Sequence, residues 1–218
     1  MINKVIKTIL NEGLITIPEE IYSWINNNIE KLYKLLKTKP LSEKLLFDSF
    51  SFINPYFKNQ DPQPIDIWII RDTKNVKDGE ASFYVSTEKG MFINSEYNFV
   101  NIDQLYDILV HEFVHAVDPK NNKDQELRLK SNDYKDIIND KHRSAIEIDA
   151  YTKSIITTLK RLLPNKELEE KLKDFIKNDQ EFPLLPQGYH AYQKFVDKIS
   201  IDKKILTRFK EKLAKFLF

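Results

Sequence analysis

His111-Glu112-Phe113-Val114-His115 spells HExxH inside a chain of 218 residues. Two imidazoles four positions apart share one face of a helix and can bind one metal ion. Glu112 follows the first imidazole directly and can reach a metal-bound water, which makes it the candidate general base. The chemistry this implies is zinc-assisted hydrolysis, with one zinc ion per chain. Only four histidines occur in the chain, and two of them fall in this pattern. The alternative is an amphipathic helix whose histidines happen to lie four apart.

The motif needs a rigid helix beneath it, and the flanking sequence supplies one. Asn101 or Asp103 can cap its start, and Pro119 ends it soon after Val117. Leu105, Ile108, Leu109 and Phe113 recur at helical spacing and give it an apolar face.

Two imidazoles do not complete a catalytic zinc site, which takes three protein ligands and keeps a fourth position open. A metzincin arrangement fails, because the positions that should hold Gly and His or Asp are Asp118 and Asn121. Asp118 reads as a cap or ion-pair partner at the helix end. The stronger candidate is Glu147, 32 residues past His115 in Ser144-Ala-Ile-Glu-Ile-Asp-Ala-Tyr151. That segment opens a helix predicted from about Lys141 to Leu163 and ended by Pro164. Its apolar stripe includes Ala145, Ile148, Ile155, Ile156 and Leu159. A carboxylate among such neighbours is costly unless a cation offsets it.

HExxH followed by Glu147-Ile-Asp149-Ala150 on a second helix resembles the gluzincin metallopeptidases. Glu-x-(Asp/Glu)-Ala is similar to the signature of the CaaX-processing and heat-shock membrane metallopeptidases. The resemblance covers roughly residues 80–160. It implies His111 and His115 as imidazole ligands, Glu147 as carboxylate ligand and Glu112 as general base. Several gluzincins carry an Asp four residues after the ligand Glu, which orients the first His; here that position is Tyr151. Asp149 is the nearest replacement for this supporting role, although it lies on a different helix face and reads equally as a surface residue.

A substrate peptide needs a strand to pair with. Ile65–Ile70, Ala81–Ser86 and Gly90–Asn94 are β-rich, and Thr87-Glu-Lys-Gly90 reads as the turn of a hairpin. The candidate edge strand is Ala81-Ser82-Phe83-Tyr84, either pairing with substrate or purely structural. Oxyanion stabilisation has four candidates: His142, Arg143, Tyr189 and His190. Tyr189 and His190 follow the Pro/Gly-rich stretch 182–188 and stand as catalytic candidates on that account.

The remaining sequence predicts helices over Pro18–Lys37, Pro40–Phe52, Lys166–Lys177, Gly188–Ser200 and from Asp202 to about Leu217. Residues 120–140 are polar and read as a loop. The 34 basic and 33 acidic residues leave a net charge of +1, so no electrostatic case exists for nucleic acid. Without cysteine, disulfides and thiolate zinc sites are excluded. Met1–Leu10 is interrupted by Lys4 and Lys7 and does not read as a signal peptide; no stretch approaches the length of a membrane span. The expected location is cytoplasmic or virus-associated.

The sequence therefore predicts one α+β domain over 1–218, zincin-like and mostly helical, with a small three-stranded mixed or antiparallel sheet before the motif helix. Its parts are a helical 1–60, a catalytic core 61–163 and C-terminal helices 164–218. The predicted function is a zinc metallopeptidase acting on peptide or protein substrates. The alternatives are a structural, virion or interaction protein retaining a peptidase fold, and a zinc amidase acting on non-protein substrates. An intact Glu112 argues against a purely structural site.

Overall fold

The computed structural model describes residues 16–38, 44–57, 61–72, 81–85, 88–118, 141–162, 165–178 and 203–217, with the side chains of residues 83, 141–147, 162, 165, 168, 178, 204, 205, 216 and 217 outside that description. In chain order the elements are α1 (Glu19–Lys37), β1 (Lys44–Ile53), β2 (Pro62–Ile70), β3 (Ser82–Val85), β4 (Gly90–Asn94), α2 (Ile102–Val117), α3 (Lys141–Leu162), α4 (Asn165–Asn178) and α5 (Lys203–Leu217). They group into two compact units, Thr16–Ile146 and a second containing Glu147–Phe218, divided within α3.

The first unit is built on a four-stranded mixed sheet of order β1-β2-β4-β3. β1 pairs antiparallel with β2, β2 runs parallel to β4, and β4 pairs antiparallel with β3. The fold class is thus α+β, and the sheet has one strand more than expected. The extra strand, β1, lies where a helix over Pro40–Phe52 was expected. Asp48-Ser49-Phe50-Ser51-Phe52 alternates polar and aromatic residues with a period of two, which suits a pleated surface and not a helix. A register shift between Leu46 and Asp48 breaks that alternation near the strand's start, which hid it in the sequence.

β2 begins three residues before Ile65, at Pro62, and carries two prolines opposite Ile53 and Ser51 of β1. β4 meets β2 only from Asp66 onward, so both prolines lie where β2 has one neighbour and needs no second set of amide donors. The hairpin between β3 and β4 forms as expected. Its left-handed residue is Lys89, at φ 48°. Gly90 instead opens β4 beneath Phe92 and Trp68, where an added Cβ would meet the Phe92 ring at 3.1 Å.

One face of the sheet is coherent across all four strands. Phe50, Ile65, Ile67, Ile69, Met91 and Ile93 share it by register, with Ser82 and Tyr84 at its β3 end. Helices α1 and α2 pack on it. α1 contributes Ile21, Trp24, Ile25, Ile29, Leu32 and Leu36, a stripe at helical spacing. Trp24 stacks on Phe50 with ring centroids 5.0 Å apart and donates from Nε1 to the Asp48 carboxylate at 2.7 Å. On the opposite face, the Lys44 ammonium lies 4.3 Å from the Trp68 ring centre.

The described residues of the second unit are helical. Ile148, Ile155, Ile156 and Leu159 of α3 are buried, as are Leu172 and Phe175 of α4 and Phe209 and Leu213 of α5. Phe175 and Phe209 meet edge to face at 6.2 Å. The helices at 141–162, 165–178 and 203–217 agree with the periodicity of the sequence. The helix expected over Gly188–Ser200, Met1–Leu10 and the loop expected over 120–140 lie outside the described residues. Among the described residues no helix is long and apolar enough to cross a membrane.

Candidate metal centre

The helix carrying HExxH is fixed at both ends. Asn101 caps α2 by accepting from the Gln104 amide at 2.8 Å. Gln104 answers by accepting from the Val100 amide at 2.8 Å, a reciprocal arrangement close to a capping box. At the other end, the Asn54 side chain donates to the Val117 carbonyl at 3.0 Å and accepts from the Tyr56 amide at 3.0 Å. Asn54 is 1% exposed, so the last turn of α2 is tied to the end of β1 inside the protein. The Asp118 amide closes the helix on Val114 at 2.9 Å, and its side chain is buried. The helix end is therefore anchored.

Between the ends, Phe113 is the key. Fully buried, it meets Trp24 and Phe50 edge to face, each at 5.8 Å. This aromatic cluster sets the rotation of α2 about its axis, and rotation decides where the residues on either side of Phe113 point. Leu105, Leu109, Val110 and Val114 complete the buried surface.

Rotation in that register brings the two imidazoles together. The Nε2 atoms of His111 and His115 are 3.1 Å apart, with ring planes at 80° and centroids 4.8 Å apart. Two metal–nitrogen bonds of about 2.0–2.1 Å at a tetrahedral angle place their nitrogens about 3.3–3.4 Å apart. The observed separation matches that bite within a few tenths of an ångström, so the donor pair fits a zinc-sized ion. The pair lies in the last two turns of α2, where the carbonyl end of the helix dipole favours a cation. Glu112 is 7% exposed, and its Oε1 accepts a hydrogen bond from the Ser82 hydroxyl at 2.8 Å.

Ser82 opens β3, which lies at the sheet edge; its outer side pairs with no strand among the described residues. Ala81 and Tyr84 are half-buried, and burial pushes the Tyr84 phenol up to about 12. Tyr84 is therefore a neutral hydrogen-bonding group throughout the neutral range. The edge position of 81–84 agrees with the expectation from sequence.

Glu147 lies on α3, and its side chain is outside the described residues, as are those of His142 and Arg143. Tyr189 and His190 also lie outside the described residues. Asp149, on the next unit's part of α3, forms an ion pair with Lys212 of α5. Among the described residues no three His, Asp or Glu side chains converge as a complete metal site.

Three contacts were not found from the sequence, although Ser82 itself was named there as part of the edge strand. Asn54 and the Trp24–Phe50 pair hold α2 through contacts more than 50 residues long in sequence, and Ser82 reaches Glu112 across 30 residues. Nothing local marks any of them.

No family model, curated protein or solved structure matches the chain.

Proposed function

We propose that the chain is a zinc-dependent metallopeptidase. The observation that carries this reading is the convergence of the His111 and His115 Nε2 atoms to 3.1 Å on a buried, capped helix, with Glu112 between them. In this reading His111, His115 and Glu147 hold the ion, with Glu147 entering from the sequence pattern. Bound there, zinc supplies a Lewis acid that polarises a peptide carbonyl and acidifies water.

The protein's own groups do the rest. Glu112 takes a proton from the attacking water and returns it to the departing amine. Water's oxygen joins the carbonyl carbon and the carbon–nitrogen bond breaks, so one carboxyl and one amine result with no other reactant consumed. Among the described residues the outer side of β3 has no strand partner, and backbone donors and acceptors there favour an extended peptide over a small amide as substrate.

The test uses the full chain, with zinc measured by elemental mass spectrometry and cleavage followed on fluorescein-labelled casein. About one zinc per chain, lost in Glu147→Ala, with casein cleaved by the wild type and not by a zinc-loaded Glu112→Gln, is the expected result. A well-folded wild type that takes up no zinc overturns the reading, as does a Glu112→Gln variant that cleaves normally.

A further inference from the structure

Glu112 has a second requirement beyond its place in the motif. A glutamate has three side-chain torsions, and a base must present one oxygen to water in a fixed position. Its carboxylate is almost wholly buried, so it needs donors or cations around it. Lying between two ligand histidines, it has a competing attraction toward any metal they hold.

The donor comes from another element. Ser82 Oγ lies 2.8 Å from Glu112 Oε1. Its placement is fixed by the sheet: Ser82 pairs with Ile93, and the Asn94 amide donates to the Ala81 carbonyl at 2.9 Å just before it. Ile93 is fully buried, so this end of the ladder is held from below. A serine hydroxyl donates a single hydrogen, and one bond to Oε1 leaves Oε2 available to water. The partner thus restrains the carboxylate without occupying its working oxygen.

We propose that Ser82 is a positioning residue which holds Glu112 as a base and keeps its carboxylate out of the metal's coordination sphere. The inference rests on the metallopeptidase reading. It also links two functions of β3, since the strand whose outer side would pair with a peptide is the strand whose first residue aims the base.

Without Ser82, the buried carboxylate must find another positive partner, and a metal held by the flanking imidazoles supplies it. Cobalt(II) makes this visible, because its visible absorption weakens as coordination rises above four. The experiment loads the wild type, Ser82→Ala and Ser82→Thr with cobalt(II). It records their spectra and measures kcat and KM on fluorescein-labelled casein. The expected result is full cobalt uptake in all three and a weaker, shifted band in Ser82→Ala. The same variant should lose about ten- to a hundred-fold in kcat with KM within about twofold, as misplacement of a reacting group by an ångström does. Ser82→Thr keeps the hydroxyl and should restore both the band and kcat.

Full uptake with identical spectra in wild type and Ser82→Ala overturns the inference and leaves the metal reading intact. So does a Ser82→Thr variant that behaves like Ser82→Ala. A folded wild type that takes up no cobalt overturns the metal reading itself, and the inference with it.

Discussion

Replacing Asn54 tests whether the motif helix depends on a fastening outside itself. In the native protein this side chain satisfies two groups at once, the buried Val117 carbonyl and the part-buried Tyr56 amide. Asn54→Ala orphans both in a site that is 1% exposed to solvent. Orphaning the buried carbonyl costs about 1–3 kcal/mol and the part-buried amide somewhat less, so the unit should lose roughly 2–5 kcal/mol. For a unit of this size that is a fall in melting temperature of roughly 6–15 °C. Asn54→Asp is the sharper variant. A carboxylate can still accept from Tyr56 but cannot donate to Val117, and it carries a buried charge. The introduced carboxyl has a folded pKa raised above the unfolded value of about 3.9. Its stability contribution is therefore complete below that value and is lost as pH rises. Asn54→Asp should be less stable than Asn54→Ala at pH 7, and the gap to wild type should narrow below about pH 5. The assay is tryptophan fluorescence during thermal or urea unfolding. The chain's two tryptophans, Trp24 and Trp68, both lie in Thr16–Ile146, so the signal reports this unit alone. An Asn54→Ala protein melting within about 2 °C of wild type would refute the reasoning. Equal stability of the two variants at pH 7 would refute it as well.

Two further substitutions probe other parts of the chain. Burial holds the Tyr84 phenol at about 12 against about 10 in the unfolded chain, so its contribution is complete below pH 10 and lost as pH rises toward 12. Wild type should lose roughly 1–2 kcal/mol more than Tyr84→Phe between pH 9 and 11 in urea titrations, and parallel losses would disprove the assignment to Tyr84. Asp149→Asn breaks a partly buried ion pair with Lys212 and should cost the helical unit about 1–2 kcal/mol by circular dichroism at 222 nm. If Asp149 instead orients a ligand histidine, zinc affinity should fall about ten- to a hundred-fold while helical stability holds.

The legible parts of this protein were those written in local periodicity. α1, α2 and the three C-terminal helices follow apolar spacing within their own residues, and α2 adds a local cap, Asn101 with Gln104. The hairpin of β3 and β4 follows from two short β-rich runs around a turn. β1 was misread because a bulge at Leu46–Asp48 interrupts its alternation and a leucine-rich start imitates a helix. Gly90 was read as a turn residue, yet it serves close packing under Phe92, while Lys89 takes the left-handed position. A one-dimensional pattern does not show which ring lies overhead.

The same division runs through the candidate metal centre. Sequence alone determined which groups are on offer: two imidazoles four apart, which helical geometry puts on a shared face, a carboxylate between them and a second acid 32 residues on. The tertiary structure decided how the face is aimed. Phe113 locks into Trp24 and Phe50, Asn54 fastens the last turn, and Ser82 arrives from the sheet edge to hold Glu112. Spacing along a helix is fixed by 3.6 residues per turn. Rotation of that helix, and the partners it meets, are fixed only by packing and by burying polar groups with their hydrogen bonds satisfied.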